Sequence, residues 1–282
     1  MEKAKLNELS VIAAKTRLLI LKAVHSASSG HPGGSLSLAD ILTYLYNVEM
    51  NIDPKNPKDE NRDRFVLSKG HASPVIYSAL ALRGFFPVEE ISNFRNINSM
   101  LQGHPDMKNI PGIDMSSGSL GQGISAACGM AKSAKIFNKD YRVYAAMGDG
   151  EIQEGQVWEA AMFAAHYKLD NLCAVLDLNG LQIDGEIKSV MSPYPVDEKF
   201  KAFGWHVIVI DGHDFNQIEA AYNEAKTVKG KPTIIIANTV KGKGVSFMEN
   251  NYAWHGNATN EEQYQQAVSE LNAQLEALGG AR

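Results

Sequence analysis

The stretch GDGEIQEGQVWEAAMFAAHYKLDNLCAVLDLNG, residues 148–180, sets an acid between two glycines, continues with helix-compatible sequence and ends a hydrophobic run on Leu-Asn-Gly. Outward from it, the run YRVYAAM stops at Gly148 and the run LCAVLDL stops at Asn179. Three further runs behave alike: RFVLS before Lys69-Gly70-His71, HVIVI before Asp211-Gly212 and TIIIANT before Val240-Lys241-Gly242. Short, near-continuous apolar runs read as strands covered on both faces, and the helical patterns between them as crossovers. The expected fold class is therefore α/β, an open, mostly parallel sheet with helices on both faces. Ligands of such sheets sit beyond the carboxyl ends of the strands. All of these turns fall there.

Composition narrows the function classes. The 282 residues are 44% hydrophobic and 21% charged, ample for a core, with a net charge of -5. No basic excess exists to pair with phosphates, which argues against nucleic-acid binding. Near the amino end, Lys15, Arg17 and Lys22 interrupt every apolar run before signal-peptide length, while Leu9, Ile12, Leu19 and Val24 approximate helical spacing. No run of about 18 apolar residues exists, so no membrane span is expected. Cys128 and Cys173 share no short motif and are expected to be buried, reduced thiols, which suits a reducing, cytoplasmic location. The segment TNEEQYQQAVSELNAQLEALGGAR opens on a cap-like Thr259 or Asn260, spaces Val268, Leu271, Leu275 and Leu278 helically and stops at Gly279-Gly280. It reads as a packing helix. With no linker, repeat or low-complexity tract, residues 1–282 are expected to form one domain.

Asp149 and Asn179 are separated by about one helix and one strand, so both land at neighbouring strand ends. A carboxylate and an amide oxygen are hard ligands, suited to Mg²⁺ or Ca²⁺ and poor for zinc. Gly148 and Gly150 let backbone N–H groups approach a phosphate closely, and a helix starting after Gly150 would aim its positive end there. Gly-Asp-Gly alone is a turn, and so is Asn-Gly. Together, each after a strand and one βα unit apart, they point to a metal-bridged diphosphate.

That pairing resembles the thiamine-diphosphate-binding signature, although Leu178 stands where many members carry a first asparagine. The resemblance implies that Asp149, Asn179 and the backbone carbonyl of Leu181 hold the metal, Mg²⁺ with Ca²⁺ or Mn²⁺ as substitutes, and that Gly148 and Gly150 meet the diphosphate. Four further stretches, SGHPGGSLS (residues 29–37), LSKGHASP (67–74), LQGHPD (101–106) and SGSLGQGIS (117–125), extend the likeness. With the opening stretch they resemble, in order and over nearly the whole chain, the amino-terminal half of transketolase, in particular the split form with its halves on separate polypeptides. By that resemblance His104 binds the donor's terminal hydroxyl, and His31 and His255 flank the acceptor's aldehyde oxygen. His71 lies near the diphosphate, Gly118 and Leu120 line the cofactor, and Glu154 couples paired active sites. Histidine suits this chemistry because protons must move on and off sugar hydroxyls near neutral pH. Glu154 reads equally as a solvated helix-start acid. Lys241 and Lys243, in VKGKG, read either as phosphate contacts or as solvated side chains.

Transketolases carry the glutamate beside the aminopyrimidine, and most sugar-phosphate contacts, on a pyrimidine-binding domain. No second sheet's worth of sequence is present here for one. The resemblance therefore implies a partner, the C-terminal transketolase subunit, most simply in an α2β2 assembly acting on sugar phosphates. Other expectations stay open: a subunit for a sulfo- or branched-sugar phosphate, or a non-catalytic regulatory subunit retaining the fold. A 2-oxoacid dehydrogenase alpha subunit would not be expected to show SGHPGG and GHPD, and a 1-deoxyxylulose-phosphate synthase resembles a longer fused chain.

Overall fold

A strand sends successive side chains to opposite faces, so a run that is apolar throughout needs cover on both. The structure, a computed structural model describing residues 1–280, supplies that cover. Helices α1 (Lys3–Ser26), α2 (Pro32–Leu36) and α3 (Ala39–Tyr44) precede strand β1 (Arg64–Leu67); α4 (Ser73–Arg83) and α5 (Gln122–Ile136) follow, then β2 (Val143–Gly148). Helix α6 (Gly155–His166) leads to β3 (Leu172–Leu178), the short strands β4 (Leu181–Gln182) and β5 (Gly185–Glu186), and helices α7 (Ile187–Met191) and α8 (Val196–Ala202). The chain closes with β6 (His206–Asp211), α9 (Phe215–Thr227), β7 (Thr233–Asn238) and α10 (Glu261–Ala277).

Every run expected to be a strand is one. They form a single parallel sheet in the order β1-β2-β3-β7-β6, with helices on both faces. Tyr144, Val175 and Ile235 belong to the core on one side, and Val143, Leu176 and Ile236 to the core on the other. Each core is packed by its own helices, chiefly α1, α3, α4, α9 and α10 on the first side and α5, α6 and α8 on the second. The antiparallel β4–β5 hairpin was not foreseen, being two residues per strand.

One strand departs from the expectation of cover on both faces. β6 lies at the sheet edge, and Val209 is 56% exposed. The terminal helices follow their patterns more closely. In α1, Leu9 and Val24 are fully buried, and Arg17 is buried too, neutralised by Asp40. In α10 the buried stripe is Ala267, Leu271 and Leu275, with Val268 on its flank, and Asn260 rather than Thr259 makes the cap. Both cysteines are free and buried, their thiols pushed up to about 12 by burial. No helix among the described residues is long and apolar enough to cross a membrane.

Candidate functional site

Gly148 pairs with Asp177 in parallel register, so Asp149 and Asn179 leave neighbouring strands one step apart at the carboxyl edge of the sheet. Both line one cavity of about 330 Å³. Leu181, Gly148, Gly150, Gly118, Leu120, Glu154, His31, His71 and His255 line it as well. Of the residues to which the resemblance gives a role, His104 alone stands outside that lining. Its ring packs beneath Gly118, whose φ of +150° favours glycine and where a Cβ would stand 3.0 Å from the His104 Cδ2.

The local hydrogen bonds explain how the oxygens are presented. Asp149 is 3% exposed; its Oδ1 accepts from the Gly150 N–H at 2.9 Å and its Oδ2 from the Gly180 N–H at 2.6 Å. Burial, then the nearby Asp177 carboxylate, push Asp149 up to about 6. A carboxylate so placed gains from a cation. The Asn179 amide donates from Nδ2 to Asp177 Oδ2 at 3.2 Å, which turns its Oδ1 the other way, where it accepts from the Leu181 N–H at 3.1 Å. The carboxylate, the amide oxygen and the Leu181 carbonyl are a hard donor set that fits Mg²⁺ or Ca²⁺. Gly148 and Gly150 add no side chain of their own to the adjoining wall, and His31 Nδ1 is buried without a partner. These residues fit a metal-bound diphosphate ligand.

Three charged residues that sequence reasoning passed over build this wall. Asp177, fully buried, receives the Lys69 ammonium, the Ser37 and Thr239 hydroxyls and the Asn179 amide. Burial alone would raise Asp177, but Lys69 and these hydrogen bonds outweigh it and hold the carboxyl below its usual range. Lys69 also donates to the Gly34 carbonyl at 2.7 Å, tying α2, which follows His31, to the sheet. Glu151, 1% exposed, accepts from the Gly148 N–H at 3.0 Å, the Gly121 N–H at 2.9 Å and the Ser68 hydroxyl. The inward turn of Glu151 also corrects an expectation. Residues Glu151–Gln153 form a 3₁₀ turn, and α6 begins only at Gly155, so no α-helix opens at Gly150. The only sequence signal for the Lys69–Asp177 pair is Asp177 itself, a charge inside the otherwise apolar run LCAVLDL.

The two lysines left open part company. Lys241 is 2% exposed and donates to the Leu181 carbonyl at 3.0 Å, with His255 Nδ1 at 3.1 Å. Burial draws its ammonium down to about 8, helped by Lys69 and opposed by Asp149 and Asp177. Lys243 stands half-buried, 3.5 Å from Glu249. Glu154 is exposed at the cavity rim.

Above the oxygen donors His31, His71 and His255 form a ring cluster, with centroids 5.2 to 5.5 Å apart. Burial draws His31 down to about 4, with Arg95, His104 and Lys241 adding to it. Burial, then Lys241, His31 and Lys69, bring His255 to about 3, and His71 lies well below its ordinary value by burial first and then the Lys69 charge. His104 is lowered by burial and by Arg95. At neutral pH the cluster is uncharged, so each ring offers one N–H donor and one acceptor. It can orient hydroxyl and carbonyl oxygens and pass protons.

Comparison with known proteins follows the same outline. The family described as "Transketolase, thiamine diphosphate binding domain" matches residues 9–276. The chain is 48% identical over 255 residues to a 6-deoxy-6-sulfo-D-fructose transketolase subunit of Clostridium sp. (strain MSTE9), covering 90% of this chain and 93% of that protein. It is 41% identical to an apulose-4-phosphate transketolase subunit of Phocaeicola vulgatus, covering 96% of each. It is 42% identical to human transketolase over 98% of this chain but 44% of that protein. Among solved structures, Campylobacter jejuni transketolase superposes with a TM-score of 0.89 at 35% identity, over 99% of this chain and 46% of that one.

Proposed function

This chain belongs to the transketolase family, as its thiamine diphosphate binding domain, and from that premise we propose that it is the cofactor-anchoring subunit of a two-chain ketol transferase. The reaction moves a two-carbon ketol unit from a ketose phosphate to an aldose phosphate. The observation that carries the reading is one cavity lined both by hard oxygen donors and by a neutral histidine cluster. Asp149, Asn179 and the Leu181 carbonyl would hold Mg²⁺, with Gly148 and Gly150 against the diphosphate. When bound, thiamine diphosphate supplies the nucleophilic carbon that takes up the ketol unit.

The chain's own residues then do the rest of the work in this half. His104 holds the donor's terminal hydroxyl. His31 and His255 face each other edge-on and flank the oxygen of the acceptor's aldehyde; being neutral, either ring can give or take a proton there. His71 stands toward the diphosphate, Gly118 and Leu120 bound the cofactor, and Glu154, exposed at the rim, reaches toward a paired site. The chain spans 44% of human transketolase, whereas two relatives named as transketolase subunits are covered over 93% and 96% of their length. Those names support a partner subunit, taken in this reading as a C-terminal chain carrying the pyrimidine-binding domain in a cytoplasmic α2β2 assembly.

A second substrate reading has its own support. The relative at 48% identity is named for 6-deoxy-6-sulfo-D-fructose, so a sulfonated donor stands beside the ordinary ketose phosphates. The test is made on the complex of this chain with its partner. Mg²⁺ and thiamine diphosphate are expected to change its circular dichroism, and Asp149→Ala to abolish the change; unaltered binding in that variant overturns the ligand assignment. Ketol transfer from fructose 6-phosphate or its 6-sulfo analogue, measured with and without the partner, separates the substrates, and full turnover by the isolated chain refutes the two-chain requirement.

A further inference from the structure

Each strand of the parallel sheet ends in a turn at its carboxyl edge. Among the described residues, the turns after β1, β2, β3 and β7 line the cavity through Lys69, Asp149, Asn179 and Lys241. The turn after β6, through Gly212 and His213, lies outside that lining and has no part in the chemistry proposed above. It is built against the turn after β7. The Gly212 N–H donates to the Asn238 carbonyl at 2.8 Å, and a Cβ on Gly212 would stand 2.5 Å from the Thr239 Cγ2. Glycine is what lets the two turns touch.

The His213 ring joins that turn to the amino-terminal helices. The Val240 N–H donates to its Nε2 at 2.9 Å. A backbone N–H only donates, so Nε2 carries no proton and the ring proton sits on Nδ1. There it faces the Asp40 Oδ2 at 2.7 Å, an acceptor that fixes this tautomer. Asp40, on α3, is gripped in turn by both terminal nitrogens of Arg17, on α1, at 3.1 and 2.5 Å. Burial alone would raise Asp40, but Arg17 and the His213 hydrogen bond outweigh it and hold the carboxyl below its usual range. Asp40 is therefore a standing acceptor for the ring.

What His213 holds is the residue before Lys241. The Lys241 ammonium meets the Leu181 carbonyl at 3.0 Å and His255 Nδ1 at 3.1 Å, and the Gly242 N–H donates to the Gly33 carbonyl at 3.0 Å. A shift of Val240 would thus reach a proposed metal donor and one ring of the histidine cluster together. We propose that His213 is a positioning residue: braced by Asp40 and Arg17, it fixes the Val240 N–H and so sets Lys241 against the Leu181 carbonyl and His255. Partners that orient a metal's ligands in this way act on affinity without touching the ion. The assignment deepens the reading of Leu181 as a metal donor and rests on it.

Two substitutions divide the contacts of the ring. In His213→Asn the amide stands near the former Nδ1 and keeps a donor for Asp40, with nothing to reach Val240; in His213→Gln the longer side chain brings an oxygen to the former Nε2. In the complex with the partner chain, Mg²⁺-dependent thiamine diphosphate binding is followed by circular dichroism. It is expected to weaken roughly 10- to 100-fold in His213→Asn, and His213→Gln is expected to recover most of the loss. Parent-like binding in His213→Asn, or equal weakness in His213→Gln, overturns the proposal. So does an affinity that simply follows the urea midpoint of each variant, which would make His213 a brace for stability alone. A second measurement needs neither variant nor cofactor. In the full chain alone, at mildly alkaline pH, the nitrogen NMR shifts of the His213 ring are expected to place the proton on Nδ1. A proton on Nε2 denies Val240 its acceptor and overturns the proposal. Should the complex bind no thiamine diphosphate even with His213 intact, the cofactor reading fails, while the tautomer still decides whether His213 holds Val240.

Discussion

Asp177 shows how much of the site rests on single residues that never touch a ligand. It is fully buried with Lys69 as its counter-charge, so Lys69→Met leaves an unpaired carboxylate in the interior. That substitution is expected to cost about 3–5 kcal/mol in urea unfolding, and adding Asp177→Leu to it should recover part of the loss, because removing both charges is far less harmful than removing one. Failure of the double variant to recover would assign the loss to packing. A second expectation concerns His31: its ring signals should titrate near pH 4 rather than near the ordinary 6.5, and an NMR midpoint above 6 would contradict the buried, positively surrounded setting described above. At this scale legibility divides by sequence distance. Asp149 and Asn179 stand out because glycines and strand ends mark them locally. Lys69, Glu151 and Asp177 do not, because the Ser68–Glu151 and Lys69–Asp177 pairings span 83 and 108 residues and only the fold brings them together.

Among the elements, the helices and strands carry their instructions locally. Asn260 accepts from the Gln263 N–H while the Gln263 side chain reaches back to the Asn260 N–H, a reciprocal cap that Asn260→Ala would break. About 1 kcal/mol should be lost, read as a lower unfolding midpoint with the far-ultraviolet spectrum otherwise retained. The strands separate by position in the sheet. Ile235 in central β7 is fully buried, and Ile235→Ala should cost about 2–5 kcal/mol. Val209 on the edge strand β6 is 56% exposed, so Val209→Lys should change stability by no more than about 0.5 kcal/mol. Equal penalties at the two positions would mean that the edge is covered in solution. The apolar run of β6 reads like those of the central strands, and nothing local distinguishes them. Whether such a run is an edge depends on strand order, which the chain settles by inserting β7 between β3 and β6.

For the molecule as a whole, the histidine cluster couples stability to pH. His31 and His255 are drawn to about 4 and about 3 in the folded chain, against 6.5 as the ordinary value. Between those limits the unfolded chain binds more protons, so this contribution is intact above 6.5 and is lost as pH falls toward 4. Asp149, raised to about 6, acts with the opposite sign and offsets part of it. The unfolding midpoint is therefore expected to fall less between pH 7 and pH 5 in a His31→Asn, His255→Asn double variant than in the parent chain. An identical fall would detach the cluster from the acid response. The sequence alone determined the parallel α/β class, the positions of its strands and the pairing of Asp149 with Asn179, because apolar periodicity and glycine turns act over a few residues. The tertiary structure decided what those signals meet: which lysine is buried, where the α-helix after Gly150 starts, and which charges face the histidines. Those outcomes depend on burial and on electrostatic contacts between segments far apart in the chain, and such contacts exist only once the sheet has set its ends side by side.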